Sequence, residues 1–181
     1  MGTDKALLPW HGRPLISYAA DTLRAVIRDV CVVSDYADRY GFLGLPNLPD
    51  IIRESGPLGG IHAALTQSGS PSVFVLSCDM PLVSRSLVEY VLQYPSAAQV
   101  TVVAMYGRIQ PLCGMYHASC LPVFEQELKH RRRKMMDVIA RVHHTVVQIG
   151  PGSPFHDTRL LMNVNDEQRY RELTAWTLPG T

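Results

Sequence analysis

The stretch Phe74-Val-Leu-Ser-Cys-Asp-Met-Pro-Leu-Val-Ser84 sets one carboxylate, Asp79, just past a continuous apolar run and just before Pro81. The run Val73-Phe74-Val75-Leu76 lacks the period-two alternation of a strand with one wet face. It predicts a strand buried on both faces, the habit of parallel sheets covered by helices on each side. Open α/β sheets take their ligands outside the carboxyl ends of strands, and a lone carboxylate there suits a phosphate or metal site. Function is therefore expected at the end of this strand. Read alone, Asp79 also fits a loop aspartate capping the helix after Pro81.

Working outward, strands and helices alternate. Pro14 suits the first position of a helix whose apolar residues Leu15, Tyr18, Ala19, Leu23, Val26 and Ile27 follow the 3.6 period. Asp29 to Ser34 reads as a strand, Leu48 to Ile52 as another extended piece, and Gly56-Pro-Leu-Gly-Gly60 opens a helix. Ser86 and Glu89 have capping-box spacing for a helix ending before Pro95. Gln99 to Tyr106 and Gln110 to Tyr116 read as strands around a Gly107-Arg108 turn. Helices follow from Ser119 and Pro122 through Leu128 and over Lys134 to Val142, then a strand from His144 to Ile149. Asn165 or Asp166 caps a last helix reaching about Trp176. This order predicts a three-layer αβα sandwich, mostly parallel, with an antiparallel excursion in its second half.

Composition narrows the function classes. With 181 residues and 46% hydrophobic content the chain suits one domain with a full core. A formal net charge of +1 exerts no global pull on nucleic acid or anionic membrane, so neither is expected as a partner. Cys31, Cys78, Cys113 and Cys120 stand singly with no C-x-x-C pair, which suggests neither zinc nor a disulfide framework and fits a reducing cytoplasm. No stretch approaches a membrane span, and the first residues lack the apolar core of a signal peptide.

Further groups carry potential chemistry. Gly56 to Gly60 at a helix start offers unhindered backbone N–H groups and a positive dipole end, suited to phosphate or a polar base edge, although it also fits an ordinary glycine turn. Asp4-Lys5 is either a solvated terminus or, given Ala6-Leu7-Leu8 after it, an anchored one. The run Lys129-His-Arg-Arg-Arg-Lys134 joins two helices as a solvated connector or an anion clamp. Asn163 and Asn165 alternate onto one face of an extended segment, where they can reach one ligand, while Asn165 also suits a helix cap. No nucleophile set of the Ser/His/Asp or Cys/His kind emerges.

Met1-Gly-Thr-Asp-Lys-Ala-Leu-Leu8, Gly12-Arg-Pro-Leu15, Gly56-Pro-Leu-Gly-Gly-Ile61, Cys78-Asp-Met-Pro81 and Asn163-Val-Asn165 together resemble, in order and spacing over nearly the whole chain, the molybdenum cofactor guanylyltransferases, the MobA-type nucleotidyltransferases. The family's first motif reads L-A-G-G-x-S-x-R-M-G-x-D-K, and this sequence starts at its M-G. The resemblance implies a Rossmann-like nucleotidyltransferase fold over residues 1–181, N-terminally incomplete by about ten to fifteen residues, enough for one strand and its loop. It also implies that Lys5 contacts the nucleotide phosphates and Asp79 holds Mg²⁺. Gly56, Pro57, Leu58, Gly59 and Gly60 would meet base and ribose, with Asp50 at the family's acidic position. Arg131, Arg132, Arg133, Asn163 and Asn165 fall where molybdopterin is received. Ser34 and Asp35 stand near the family's nucleotide-contacting asparagine, which leaves base choice open.

The implied reaction is transfer of GMP from GTP to the terminal phosphate of molybdenum-bound molybdopterin with release of pyrophosphate, which needs no protein nucleophile. Molybdopterin-handling proteins or molybdoenzymes would receive the product. The alternatives are the same transfer from CTP, transfer to another phosphorylated small molecule, and a binding protein that holds nucleotide without turnover.

Overall fold

Asp4 opens the first turn of the chain. The computed structural model describes residues 4–155 and 157–176, so Met1, Gly2 and Thr3 of the first motif lie outside the described residues. The Asp4 carboxylate accepts the Ala6 N–H at 3.1 Å and so starts a single 3₁₀ turn, Lys5–Leu7. Strands β1 (Pro9–Trp10) and β2 (Arg13–Pro14) make a small hairpin, and Pro14 stands one residue before α1 (Leu15–Arg24) as its extended N-cap. The next two strands, β3 (Val32–Val33) and β4 (Asn47–Leu48), are shorter than the apolar runs around them suggest. Helix α2 (Gly56–Ser68) starts at the glycine cluster and leads to β5 (Ser72–Leu76). Helix α3 (Arg85–Leu92) is capped by Ser84, whose hydroxyl accepts the Leu87 N–H at 3.3 Å. Ser86, expected in that role, lies inside the helix, because capping needs extended backbone and Ser84 has it.

The second half follows the sequence reading closely. Strands β6 (Val100–Met105) and β7 (Arg108–His117) form a hairpin around Tyr106-Gly107. Helix α4 (Leu121–Lys129) and the short α5 (Met135–Ile139) precede β8 (His144–Ile149). Asp166 caps α6 (Glu167–Thr174) by accepting the Arg169 N–H at 2.8 Å.

The main sheet has the order β5-β7-β6-β8 and is mixed. Strand β7 is the antiparallel excursion, opposed to both neighbours, while β6 and β8 pair parallel and β3 pairs parallel with β4. Helices α1 and α3 pack Leu23, Leu87 and Val91, with Val26 just past α1, on one face against Phe74, Val103, Met105 and Val147. Helices α2, α4 and α5 pack Leu58, Phe124, Leu128 and Ile139 on the other, against Val73, Val100, Val102 and Tyr116. Three layers result, as the alternation of elements predicts. Where β7 crosses β6 the backbones come very close, and a Cβ at Gly114 would sit 2.2 Å from the Thr101 carbonyl oxygen.

Between β3 and β5 the sheet is open. A groove of about 730 Å³ separates them, walled by those strands and by α1 and α2. All five residues of β5 are consequently half-buried, where its unbroken apolar pattern predicts full burial. The reason is topological: among the described residues, β5 has β7 on one side and no hydrogen-bonded strand on the other.

Candidate functional site

The carboxyl end of β5 gathers residues from distant parts of the chain. Asp79 stands in the loop just past Leu76, the last residue of β5, after Ser77 and Cys78, and its backbone carbonyl accepts the Val164 N–H at 2.8 Å. That bond draws the Asn163-Val164-Asn165 segment onto the Asp79 loop. Val164 is fully buried beside Trp10, Leu15 and Leu173, which pins the segment and leaves the two asparagines free for polar contacts. Asn165 Oδ1 accepts from Lys5 Nζ at 3.4 Å. Lys5, Asp79 and Asn165, expected from scattered motifs, therefore share one place.

Lys5 is held from below. Asp4 accepts from Ala6 N–H, from Arg39 at 3.0 Å and from the Tyr40 hydroxyl at 2.7 Å, so this stretch is anchored. Partial burial pulls the Asp4 carboxyl up, but the hydrogen bonds from Tyr40, Arg39 and the Ala6 amide prevail and hold it below its ordinary value. Asp79 Oδ1 is enclosed and accepts no hydrogen bond from the described residues. An enclosed carboxylate oxygen without a donor carries a desolvation cost that a cation relieves. No group of three or more His, Cys, Asp or Glu side chains stands ready to hold a metal among the described residues, so Asp79 offers a single protein ligand. Next to it, burial first and then the Asp79 and Asp4 charges push the Cys78 thiol up to about 12.

The glycine cluster forms the start of α2. Gly56 is its first residue and Pro57 sits in its first turn, where the missing N–H costs nothing. Leu58 is fully buried in the core on the α4 side, so its side chain is a packing residue. Gly59 is obligatory: a Cβ there would meet Ser55 Cβ at 2.7 Å. Asp50 lies beside this turn, with its carboxylate oxygens 3.8 and 3.9 Å from the Cβ positions of Gly59 and Gly60. Burial, then the charge of Asp35, raises its carboxyl above the ordinary value. Asp35 in turn accepts the Asp50 N–H at 3.1 Å.

Other expected residues lie elsewhere. Asn163 turns to Gln110, donating to its Oε1 at 3.0 Å, so the two asparagines serve different partners. Arg131, Arg132 and Arg133 form the connector between α4 and α5. Arg132 reaches the buried Glu127 at 3.4 Å, and no hydrogen bond among the described residues joins the run to Lys5, Asp79 or the asparagines. Two residues went unnoticed in the sequence. Asn47 donates to the Ser34 carbonyl at 2.7 Å while its enclosed Oδ1 has no hydrogen-bond partner among the described residues, which supplies an asparagine beside Ser34 and Asp35. Gln110, 8% exposed, borders a cavity of about 590 Å³ with Arg108, Arg159 and Asn163. Its signal in the sequence is a lone amide between the apolar Ile109 and Pro111.

A glycine-led helix start, a lysine and a carboxylate without a donor among the described residues match phosphate chemistry, and residues 1–146 match the model of the MobA-like NTP transferase domain. The chain belongs to the MobA-like NTP transferase family. Members are nucleotidyltransferases, and so is this enzyme. A protein of Carboxydothermus hydrogenoformans named "Probable molybdenum cofactor guanylyltransferase" is 32% identical over 174 residues, covering 96% of this chain and 88% of the relative. One of the same name from Flavobacterium johnsoniae is 29% identical, covering 96% and 89%. The crystal structure of molybdopterin-guanine dinucleotide biosynthesis protein A from Archaeoglobus fulgidus superposes with a TM-score of 0.81 at 19% identity, covering 96% of this chain and 90% of that one. The last likeness establishes the nucleotidyltransferase fold. Among the described residues no helix is long and apolar enough to cross a membrane.

Proposed function

We propose that this enzyme transfers GMP from GTP to the terminal phosphate of molybdenum-bound molybdopterin and releases pyrophosphate. The observation that carries the reading is the meeting of Lys5, Asp79 and Asn165 at the carboxyl end of β5. The acceptor phosphate is itself the nucleophile, so the protein's task is positioning and charge stabilisation. The GTP phosphates lie along Lys5, whose ammonium offsets charge gathering on the leaving pyrophosphate, and Asn165 holds that ammonium in line. Asp79 is the residue that would hold Mg²⁺, since its enclosed Oδ1 has no hydrogen-bond partner among the described residues. Bound there, the ion supplies neutralisation of phosphate charge. Guanine sits against the start of α2, near Asp50 and Asn47. The names of the relatives support a guanylyl group and a molybdenum-cofactor acceptor.

Calorimetric titration of GTP and CTP in the presence of Mg²⁺ tests the base, with tighter binding of GTP expected. Equal or inverted affinities move the assignment to cytidylyl transfer. Pyrophosphate release on addition of molybdopterin tests turnover, and nucleotide binding without release would make the chain a binding protein.

A further inference from the structure

We propose that Gln110 is a specificity-determining residue that, paired with Asn163, reads the lactam edge of the acceptor's ring, the N–H and C=O that a pterin carries side by side. The inference rests on the molybdopterin reading above. Asn163 Nδ2 donates to Gln110 Oε1 at 3.0 Å and to the Leu161 carbonyl at 3.2 Å, so both of its hydrogens are committed and the amide is held one way round. The Gln110 amide is oriented by the same bond, with its oxygen spent on Asn163. What remains is one acceptor, Asn163 Oδ1, and one donor group, Gln110 Nε2. Neither atom has a hydrogen-bond partner among the described residues, and neither is one of their enclosed polar atoms. Both side chains line the cavity of about 590 Å³, so the free acceptor and the free donor open into it.

The pair defines what complements it. Gln110 is 8% exposed, so an unmatched donor there carries a cost that an occupant relieves. An occupant that satisfies both atoms offers an N–H and a C=O on one edge. A peptide group does not, because its trans geometry sets them on opposite edges, whereas a ring lactam holds them on the same one. Guanine and pterins both have such an edge. In the reading above guanine is taken at the start of α2, which leaves the cavity to the pterin. Charge agrees with an anionic acceptor. Of the arginines lining the cavity, Arg159 is paired with Asp157 at 2.9 Å and Arg169 with Glu172 at 2.7 Å, while Arg108 makes no ion pair among the described residues and is available to an anionic group of the acceptor. Asn163 also ties the cavity to the reaction, since it precedes Val164, whose N–H is held by the Asp79 carbonyl.

The test titrates two probes into the full chain by calorimetry: carboxypterin, and a diaminopteridine carboxylate in which an amino group replaces the ring carbonyl. That exchange reverses the edge, since the neighbouring ring nitrogen then loses its hydrogen. The parent should bind carboxypterin about tenfold to a hundredfold more tightly, the range expected when a mostly buried donor and its neighbouring acceptor are left unmatched. Gln110→Glu keeps an oxygen for Asn163 and removes the donor, and Gln110→Met removes both, so each should bring the ratio of affinities to near one. The added charge of the glutamate acts on both carboxylates alike and cancels in the ratio. Affinity for GTP with Mg²⁺ should stay at the parental value in both variants. A ratio near one in the parent, including binding of neither ring, would overturn the proposal without any variant. So would a parental ratio in Gln110→Met, or a GTP affinity that falls together with the ratio, which would make Gln110 a merely structural residue. Discrimination between the rings without nucleotidyl transfer would sink the proposed activity and leave this inference standing.

Discussion

Strands β5 and β6 are both predominantly apolar strands of one sheet, yet all six residues of β6 are buried and all five of β5 are half-exposed. The difference lies in their neighbours. Strand β6 has β7 and β8 on its two edges and helices over both faces, whereas among the described residues β5 ends the sheet and borders a groove. Burial is thus a property of the surroundings that a strand's own residues only make favourable. The consequence is a molecule with a closed half, which supplies stability, and an open half, at whose rim Lys5, Asp79 and the start of α2 collect. Binding regions belong at the less stable end of a fold, since ligands must enter there.

The comparison breaks most readily on a pair of phenylalanines. Phe124 is fully buried on the closed side, and Phe124→Ala should cost about 3–5 kcal/mol in denaturant unfolding. Phe74→Ala, on the groove wall, should cost about half as much, because its site already borders open space. Equal costs would mean that both halves are packed alike.

The active rim should behave in the opposite way, losing rate and keeping stability. Lys5→Ala and Asp79→Asn should each lower nucleotidyl transfer by about 10²–10³-fold, roughly 3–4 kcal/mol of barrier, as for loss of one preorganised charge contact. Their melting midpoints should stay near that of the parent. Near-parental turnover at saturating Mg²⁺ would remove Asp79 from the metal role, and an unchanged kcat would make Lys5 a bystander.

A smaller effect concerns how Asp4 holds that rim to the protein. Its carboxyl is depressed on folding, so the stability it contributes is present above the ordinary value of 3.8 and is lost as pH falls through the lower folded value. Asp4→Asn should lower the melting midpoint at pH 7, and the gap between variant and parent should close as the pH drops well below 3.8. A gap that stays constant would show that Asp4 works by shape and not by charge.

Smallest of all is the response of Cys78. With its thiol pushed up to about 12, it should react with iodoacetamide at pH 7.5 at least about tenfold more slowly than a free cysteine, read by mass spectrometry. Fast labelling would show the groove's mouth to be more open than described.

Much of this was legible in the sequence because the signals are local. Periodicity, glycine placement and turn residues set β8 to the residue, the start of α2, and the β6–β7 hairpin to within about two residues, since the residue patterns that mark them are local. Asp79 and Lys5 stood out as residue types in the right kind of loop. What residue pattern left open was partnership across long separations. Asn165 reaches Lys5 over 160 positions, Asn163 turns to Gln110 over 53, and neither amide declares its partner in a linear reading. Ser84 displaced Ser86 as a cap because the choice depends on backbone angles. The half-burial of β5 was invisible for the same reason. An apolar run states what a strand would prefer to bury, but only the assembled sheet decides which edges find a neighbour, because pairing is a relation between strands and not a property of one.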